Sequence, residues 1–271
     1  MANSQPMRII AIANQKGGVG KTTTAVNLAA SLANTGVPVL VIDLDPQGNA
    51  STALGIDRQQ RKRTIYQALY GECRLADAIA ATPVPRLSVV PATVDLAAVE
   101  VELSGKADRD SLLKQLMEQA PALPSSLRPA VVLVDCPPTL GLLTINALAA
   151  ADSLLIPLQA EFLALEGLSY LLRTVETITG RINPALKIDG VLMTMVDRRN
   201  NLSTAVCDDA REHLGALVYN TEIPRNVRLS EAPSHGLPVA LYDPKCAGAL
   251  AYDALAAEFQ ARNSHWQQEV G

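Results

Sequence analysis

The sequence predicts an α/β fold, in which helices cover both faces of a doubly wound, mostly parallel sheet. Two observations support this prediction. Short apolar runs recur along the chain, and segments with helical periodicity separate them. Because parallel strands need a crossover connection, strands that alternate with helices indicate βαβ units. No linker rich in Gly, Ser or Pro divides the chain, so residues 1–271 are interpreted as a single domain with a short N-terminal tail at 1–7 and a loose tail at 262–271.

The elements follow from the apolar pattern. The run 8–13 predicts a strand, and the next segment predicts a helix because one face is formed by Ala25, Leu28, Ala29, Leu32 and Ala33. Gly36 ends this helix. Later strands are predicted at 38–43, 87–91, 130–135, 153–157, 188–195 and 216–219. Later helices are predicted near 108–120, 140–150, 161–179, 203–214 and 247–262. Residues 55–86 are less regular and are interpreted as peripheral helices and loops.

The composition excludes several classes of protein. With 48% hydrophobic residues the chain is not disordered as a whole, and no apolar run approaches the roughly 18 residues of a membrane span. The first residues lack the apolar core of a signal peptide. The four cysteines have no Cys-x-x-Cys spacing, which argues against zinc and iron–sulfur sites and fits a reducing cytoplasm. The net charge of −4 means that nucleic-acid binding would require a local basic patch.

A glycine-rich loop joins the first strand to the first helix. It reads Lys16-Gly-Gly-Val-Gly-Lys-Thr-Thr23 and keeps the core of a P-loop, although Gln stands at position 15, where the first glycine is expected. Backbone N–H groups of such a loop surround phosphate oxygens, and the following helix directs its positive N-terminus at the same anion. Lys21 can neutralise phosphate charge, and the Thr22 hydroxyl can ligate Mg²⁺. The predicted nucleotide site comprises Gly17, Gly18, Val19, Gly20, Lys21, Thr22 and Thr23; the alternative is a turn that binds nothing.

Two strands end in carboxylates at the sheet edge where α/β proteins bind ligands. Asp43 and Asp45 follow an apolar run, and their side chains point the same way if the strand continues. A second run ends at Asp135, an arrangement that delivers a carboxylate to Mg²⁺. Phosphoryl transfer requires mainly positioning and charge neutralisation, so one carboxylate oriented on water is sufficient. The alternative for 43–48 is a simple turn, and Cys136 is expected to be a packing residue because no His is near it in sequence.

These motifs resemble those of the MinD/ParA group of P-loop ATPases, which has a deviant Walker A motif. Lys16 stands where that group has a second, signature lysine, and the resemblance implies that it reaches the partner subunit's nucleotide in an ATP-sandwich dimer. The alternative for Lys16 is a solvated loop lysine. The resemblance further implies that Asp43 helps to order the Mg²⁺ shell and that Asp45 positions or activates the attacking water. Residues 46–49 and 137–138 correspond to switch I and switch II.

Two later segments extend the resemblance to chromosomal ParA, or Soj-like, partition ATPases. Residues 193–200 and 223–233 both follow predicted strands. By motif position, Arg199 and Arg228 correspond to arginines that contact nonspecific DNA in that family, and Pro224 and Asn226 correspond to residues beside the adenine. Nonspecific binding needs only phosphate contacts, so an acidic protein can achieve it with a few aligned arginines.

Other interpretations of these basic residues remain open. Arg199 and Arg228 could be surface charges that pair with Asp197, Asp209 or Glu231. Asn200 stands where Thr is usual in its loop. A further basic cluster is predicted to be a solvated loop, with DNA contact as the minor option; it consists of Arg58, Arg61, Lys62 and Arg63.

The resemblance covers residues 7–260 and implies an ATPase that requires ATP and Mg²⁺ for DNA segregation. It implies a homodimer on ATP binding, nonspecific double-stranded DNA as a partner, and release when a ParB-type centromere-binding protein stimulates hydrolysis. The expected location is the cytoplasm, on the nucleoid. Alternatives are an ATPase of the same type that positions a plasmid, carboxysome or chemoreceptor array, and a metabolic P-loop ligase or kinase. The segment 255–271 has one basic residue and no broad apolar face, which argues against membrane attachment.

Overall fold

The computed structural model describes residues 7–161 and 164–263. Its strands are β1 (Arg8–Ile12), β2 (Val39–Asp43), β3 (Ala80–Ala81), β4 (Leu87–Val90), β5 (Val131–Asp135), β6 (Ser153–Gln159) and β7 (Lys187–Thr194). They form one seven-stranded sheet in the order β3-β4-β2-β5-β1-β6-β7. Every neighbouring pair is parallel except the antiparallel pair of β3 and β4. The predicted mostly parallel sheet is therefore confirmed.

The connections between the strands are helical. The helices are α1 (Lys21–Asn34), α2 (Asn49–Ala53), α3 (Ile65–Leu69), α4 (Leu75–Ala78), α5 (Val99–Glu102), α6 (Leu112–Met117), α7 (Leu142–Ala150), α8 (Ala164–Arg181), α9 (Asn201–Leu214), α10 (Val227–Glu231), α11 (Val239–Tyr242) and α12 (Ala247–Arg262). Short 3₁₀ segments lie at Arg58–Gln60, Val94–Ala98, Ala120–Ala122, Gly215–Leu217 and Ala232–His235.

Hydrophobic clusters cover both faces of the sheet, as the apolar strands require. All five residues of β2 and of β5 are buried. Alternate side chains of a strand point to opposite faces. Accordingly, Ile9 of β1 packs in a cluster with residues of α6, α7 and α8, whereas Ile10 packs in a second cluster with residues of α1 and α12. Because both faces are covered, the strands are continuous apolar runs and do not alternate with polar residues.

Two predicted elements differ from the structure. The predicted strand 216–219 is wrong. The 3₁₀ segment Gly215–Leu217 turns the chain, and within 216–219 only Val218 forms a bridge, to Val191 of β7. The predicted helix near 108–120 is shorter, and α6 is followed by a 3₁₀ turn with a proline in its first positions.

Both limits of the described chain lie toward the amino ends of the strands. Arg8 begins β1, where its backbone N–H donates to the Ala130 carbonyl at 2.9 Å. Near the other limit, Asn263 Nδ2 donates to Asp189 Oδ1, close to the start of β7, at 3.1 Å. Arg262 donates to Glu258 and to the Val218 carbonyl, so the predicted loose tail does not begin at 262. Its remainder, 264–271, and most of the predicted N-terminal tail lie outside the described residues.

Candidate nucleotide site and arginine loops

The predicted phosphate loop connects β1 to α1 at the carboxyl edge of the sheet. Gly18 and Gly20 have φ angles of 76° and 90°, a left-handed backbone that favours glycine. Gly20 precedes the first residue of α1 and has no side chain that could cap the helix. The first N–H groups of α1 therefore face the loop, which is the arrangement that binds phosphate. The Thr194 hydroxyl donates to the Val19 carbonyl at 2.8 Å and fixes the loop to the end of β7.

The two lysines of the loop have different environments. Lys21 is only 6% exposed, and its Nζ donates to the Lys16 carbonyl across the loop at 3.0 Å. Burial lowers the pKa of Lys21, while the charge of Asp135 opposes the shift. The side chain of Lys16 is 45% exposed and forms an ion pair with Glu161, which follows β6. One lysine thus points into its own loop and the other points out of it.

Asp43 and Asp135 lie side by side at the ends of β2 and β5, where their Cα atoms are paired in register. Asp43 Oδ2 accepts hydrogen bonds from the backbone N–H and the hydroxyl of Ser51, at 2.7 and 2.6 Å. Burial raises the pKa of Asp43 to about 6, against the hydrogen bonds from Ser51. Burial, and next the negative charge of Asp43, raises the pKa of Asp135 well above its usual value.

These residues fit a Mg²⁺ ion that is bound together with phosphate. Both carboxylate oxygens of Asp135 are buried, and in residues 7–161 and 164–263 neither has a hydrogen bond of standard geometry, although the Thr22 hydroxyl lies near enough to oppose the rise in the pKa of Asp135 that burial causes. A buried carboxylate without a partner is costly unless a cation or a water ligand completes its surroundings. The described side chains include no group of three or more His, Cys, Asp or Glu that could hold a metal. The expected ligand set is therefore the Thr22 hydroxyl, the phosphate oxygens, and waters held by Asp43 and Asp135.

Asp45 follows β2 at the start of the predicted switch I. It is 9% exposed, and its Oδ1 accepts a hydrogen bond from the backbone N–H of Gln47 at 2.9 Å. The Gly48 N–H donates to the Asp45 carbonyl, also at 2.9 Å, so that a tight turn fixes the backbone at this position. The charge of Asp45 acts on Lys21 and on Asp135, so these three predicted site residues lie near one another at one edge of the sheet.

A cavity of about 240 Å³ adjoins the phosphate loop. Its lining includes Gly20 and Thr23 of the loop together with Pro224 and Asn226, which the family resemblance implies to lie beside the adenine. Met195 also lines the cavity and has a φ of 52°, an unusual conformation for a residue other than glycine. Such strain is frequent at ligand sites. The structure thus brings the predicted adenine residues next to the phosphate loop.

The predicted DNA-binding arginines lie on two neighbouring loops. The loops are joined by a bridge between Val196 and Pro224. The side chain of Arg199 is 90% exposed and contacts Asp197 with two hydrogen bonds, of 2.9 and 2.8 Å. The Arg199 guanidinium lowers the pKa of Asp197 to about 2.

Arg228 is also exposed and paired. It contacts Glu231 at 2.7 Å and Asp243 at 3.3 Å. Exposed ion pairs of this kind contribute about 0–1 kcal/mol, so phosphate groups can compete for both arginines. Asn200, which differs from the usual Thr, accepts a hydrogen bond from the Leu202 N–H and caps α9. Thr and Asn are both effective caps, so this difference preserves the local structure.

The interpretation of the basic cluster at 58–63 as a solvated loop is wrong for Arg61. This side chain is 8% exposed and its guanidinium donates to the Ile56 and Ala92 carbonyls and to the Thr52 hydroxyl. Arg58 and Lys62 are exposed, as predicted. Sequence analysis also missed Ser51, because neither Ser51 nor Arg61 belongs to a recognised motif.

No helix in the described ranges combines the length and apolarity needed to cross a membrane.

The raised pKa of Asp43 predicts how the stability of the nucleotide-free protein depends on pH. The folded state binds this proton more tightly than the unfolded chain, so stability is lost as the pH rises from about 4 through about 6. Asparagine cannot ionise and avoids this cost. We expect Asp43→Asn to be more stable than the wild type at pH 7 by on the order of 2 kcal/mol, with the difference shrinking toward pH 4.

Urea unfolding of both proteins between pH 4.5 and 7.5, without nucleotide, measures this difference. A difference that does not change with pH would contradict the assignment of the proton to Asp43. Excess Mg²⁺ and ADP provide a control, because the ligands should stabilise the wild type more than the variant.

Comparisons with known proteins agree with this geometry. An AAA-domain family model matches residues 7–188. The chain is 54% identical over 268 residues to the chromosome partitioning protein ParA of Caulobacter vibrioides, and the alignment covers 99% of each chain. It is 50% identical to the sporulation initiation inhibitor protein Soj of Bacillus subtilis, over 94% of this chain and 98% of Soj. Among solved structures, cobyrinic acid a,c-diamide synthase from Mycobacterium smegmatis with bound ADP and magnesium superposes with a TM-score of 0.82 and 35% identity, covering 97% of this chain and 96% of that one.

Proposed function

The chain belongs to the ParA/Soj family of chromosome-partitioning ATPases, and on this premise we propose that ATP binding converts it into a homodimer that binds nonspecific double-stranded DNA. It is an ATPase that uses ATP and Mg²⁺. In the proposed cycle, a ParB-type partner stimulates hydrolysis and thereby releases the dimer from the nucleoid. Nucleotide then controls the population of the DNA-binding state.

One observation supports the proposed dimer above all others. The phosphate loop has two lysines, of which Lys21 is buried and directed inward while Lys16 is half exposed and directed outward. A lysine outside its own loop is available to another subunit's phosphate. In the proposed dimer, Lys16 exchanges its ion pair with Glu161 for a phosphate contact in the partner. This exchange is inexpensive, because both side chains of the pair are more than a third exposed.

The residues at the sheet edge divide the chemistry among them. Thr22, Asp43 and Asp135 would hold Mg²⁺, which would supply positive charge that neutralises the phosphates. Lys21, whose Nζ lies across the phosphate loop against the Lys16 carbonyl, adds a positive charge beside the phosphates. Asp45 orients the attacking water. A single carboxylate on water gives slow turnover until a partner protein orders the site.

The DNA-binding loops are physically linked to the nucleotide site. The 3₁₀ segment that follows α10 packs against α2, the helix that begins at the last residue of the predicted switch I. At this contact, a Cβ atom on Gly236 would lie 3.1 Å from the Gly55 Cα. The contact is therefore close enough to transmit a shift of switch I toward Arg228. This link supports a DNA-binding state that depends on nucleotide.

The alternatives receive less support. The structural relative from Mycobacterium smegmatis is named as a metabolic amide synthase, at 35% identity. The partition proteins are more similar, at 54% and 50% identity over nearly the whole chain. An ATPase of the same type that positions a plasmid or another cargo would have the same residues at this site.

The proposal predicts DNA binding that depends on both nucleotide and salt. We expect the protein to bind a random-sequence duplex with ATP and Mg²⁺, and to bind it at least about tenfold more weakly with ADP or without nucleotide. The logarithm of the affinity should fall linearly with the logarithm of salt concentration. Fluorescence anisotropy of a labelled duplex, measured in three nucleotide states across a salt series, tests this. Equal binding in all three states would contradict the switch, and no binding in any state would favour a metabolic enzyme.

A further inference from the structure

The buried Arg61 joins three parts of the chain behind switch I. Its Nε and Nη2 donate to the Ile56 carbonyl at 3.1 and 2.9 Å. Its Nη1 donates to the Ala92 carbonyl, in the loop after β4, at 3.0 Å. Its Nη2 also donates to the Thr52 hydroxyl at 2.7 Å. The guanidinium therefore fixes α2 and the residues after it to the neighbouring loop.

Ser51 continues this connection to the nucleotide site. The Ala92 backbone N–H donates to the Ser51 hydroxyl oxygen at 3.0 Å, and that hydroxyl donates to Asp43 Oδ2 at 2.6 Å. The Ser51 backbone N–H donates to the same carboxylate oxygen at 2.7 Å. Ser51 and Asp43 are completely buried. The hydrogen bonds thus run without interruption from Arg61 through Ala92 and Ser51 to Asp43.

The switch I turn is shaped around the arginine. Gly48 has a φ of 65°, and a Cβ atom at this position would clash with Nη1 of Arg61 and would lie 2.9 Å from the Ala92 carbonyl oxygen. Burial lowers the pKa of Arg61, and the charge of Asp43 opposes this shift. A buried guanidinium is expensive unless its donors are paired and its charge is balanced. Acceptors in α2, after α2 and in the loop after β4 pair the donors, and the Asp43 carboxylate opposes the charge.

We propose that Arg61 and Ser51 are positioning residues for Mg²⁺, because they hold the Asp43 carboxylate and switch I in the geometry that binds the ion. The inference depends on the proposed role of Asp43 in ordering the Mg²⁺ shell. Neither residue lines the cavity beside the phosphate loop. Each acts through the orientation of Asp43: Ser51 directly, and Arg61 through the Ala92 loop.

The test measures Mg²⁺ dependence separately from folding. Fluorescent ADP is titrated with the full-length protein at increasing Mg²⁺ concentrations, and the thermal unfolding midpoint is recorded without nucleotide. For Arg61→Met and Ser51→Ala, we expect the half-saturating Mg²⁺ concentration to rise by about tenfold, as for the loss of one charge-assisted hydrogen bond. Binding of fluorescent ADP in EDTA should stay unchanged. Arg58→Met is the matched control, because Arg58 is exposed in the same basic cluster.

The possible results separate positioning from a structural role. Variants that unfold at lower temperature but keep the wild-type Mg²⁺ dependence would overturn the proposal. Should Arg61→Met fail to fold, Ser51→Ala decides the question, since it removes one hydroxyl and retains the Ser51 N–H. Nucleotide binding by the wild type that does not depend on Mg²⁺ would instead refute the role of Asp43, and the proposal with it. An equal shift in Arg58→Met would attribute the effect to net charge and also overturn the proposal.

Discussion

An Asp45→Ala variant is expected to hydrolyse ATP at least about a hundredfold more slowly than the wild type, while it still binds ATP and DNA. Asp45 Oδ1 accepts a hydrogen bond from the Gln47 N–H within its own turn, and in the proposed function the carboxylate orients the attacking water. The substitution leaves the phosphate loop and the neighbouring carboxylates in place. Phosphate release measured with and without DNA gives the turnover, and fluorescent ATP gives the affinity.

The separation of binding from turnover is the decisive part of this experiment. If Asp45→Ala lost ATP binding, the side chain would be a nucleotide or metal ligand and would not be the residue that orients water. Asp108→Ala is a suitable control, because Asp108 is an exposed carboxylate far along the chain from every predicted site residue. It should retain wild-type turnover and affinity.

Arg228→Ala is expected to weaken the ATP-dependent binding of random-sequence DNA by roughly tenfold to a hundredfold. In a dimer the substitution removes one phosphate contact from each subunit, so the salt slope should fall by about two. The loss should be similar for duplexes of different sequence, because phosphate contacts carry no base information. Arg199→Ala should behave in the same way. Anisotropy titrations across a salt series measure both the affinity and the slope.

Arg74 provides a matched control for Arg228. Each arginine forms an exposed ion pair with an acidic residue three positions later, Asp77 in one case and Glu231 in the other. Arg74→Ala therefore removes the same charge and the same kind of pair from a different part of the surface. Equal losses in the two variants would indicate a general effect of net charge and would argue against a DNA contact at Arg228.

Much of the fold could be predicted, because its signals are local in sequence. Val131–Asp135 is buried on both faces, so it is a continuous apolar run that identifies itself as an inner strand. The same reasoning failed at 216–219, which is equally apolar. There the bulky Tyr219 is buried through contacts with Asp189 and the guanidinium of Arg262, both distant in sequence. An apolar, buried segment is therefore not always a strand: this one lies beside the edge strand β7 and forms only an isolated bridge with it.

Site residues that form a contiguous motif could be predicted from the sequence. Site residues that are scattered along the chain could not. Most of the groups predicted to bind phosphate lie in one short segment, the phosphate loop. Its glycines and Lys21 therefore form a pattern that predicts their function. Arg61 stands in a run of basic residues, and nothing local distinguishes it from Arg58. In the folded chain its buried guanidinium donates to the Ala92 carbonyl, which is 31 positions away in sequence. Every residue has a backbone carbonyl, so the amino-acid type at position 92 does not indicate that its carbonyl accepts a hydrogen bond from Arg61.

The location of the two chain limits has a practical consequence for imaging. Arg8 and Asn263 both lie toward the amino ends of the strands, whereas the phosphate loop, Asp45 and the arginine loops follow the carboxyl ends. A small dye attached at Arg8 or Asn263 would therefore sit on the side of the sheet away from the phosphate loop. Dyes at these two residues would report on the same edge of the sheet and would leave the carboxyl edge uncovered.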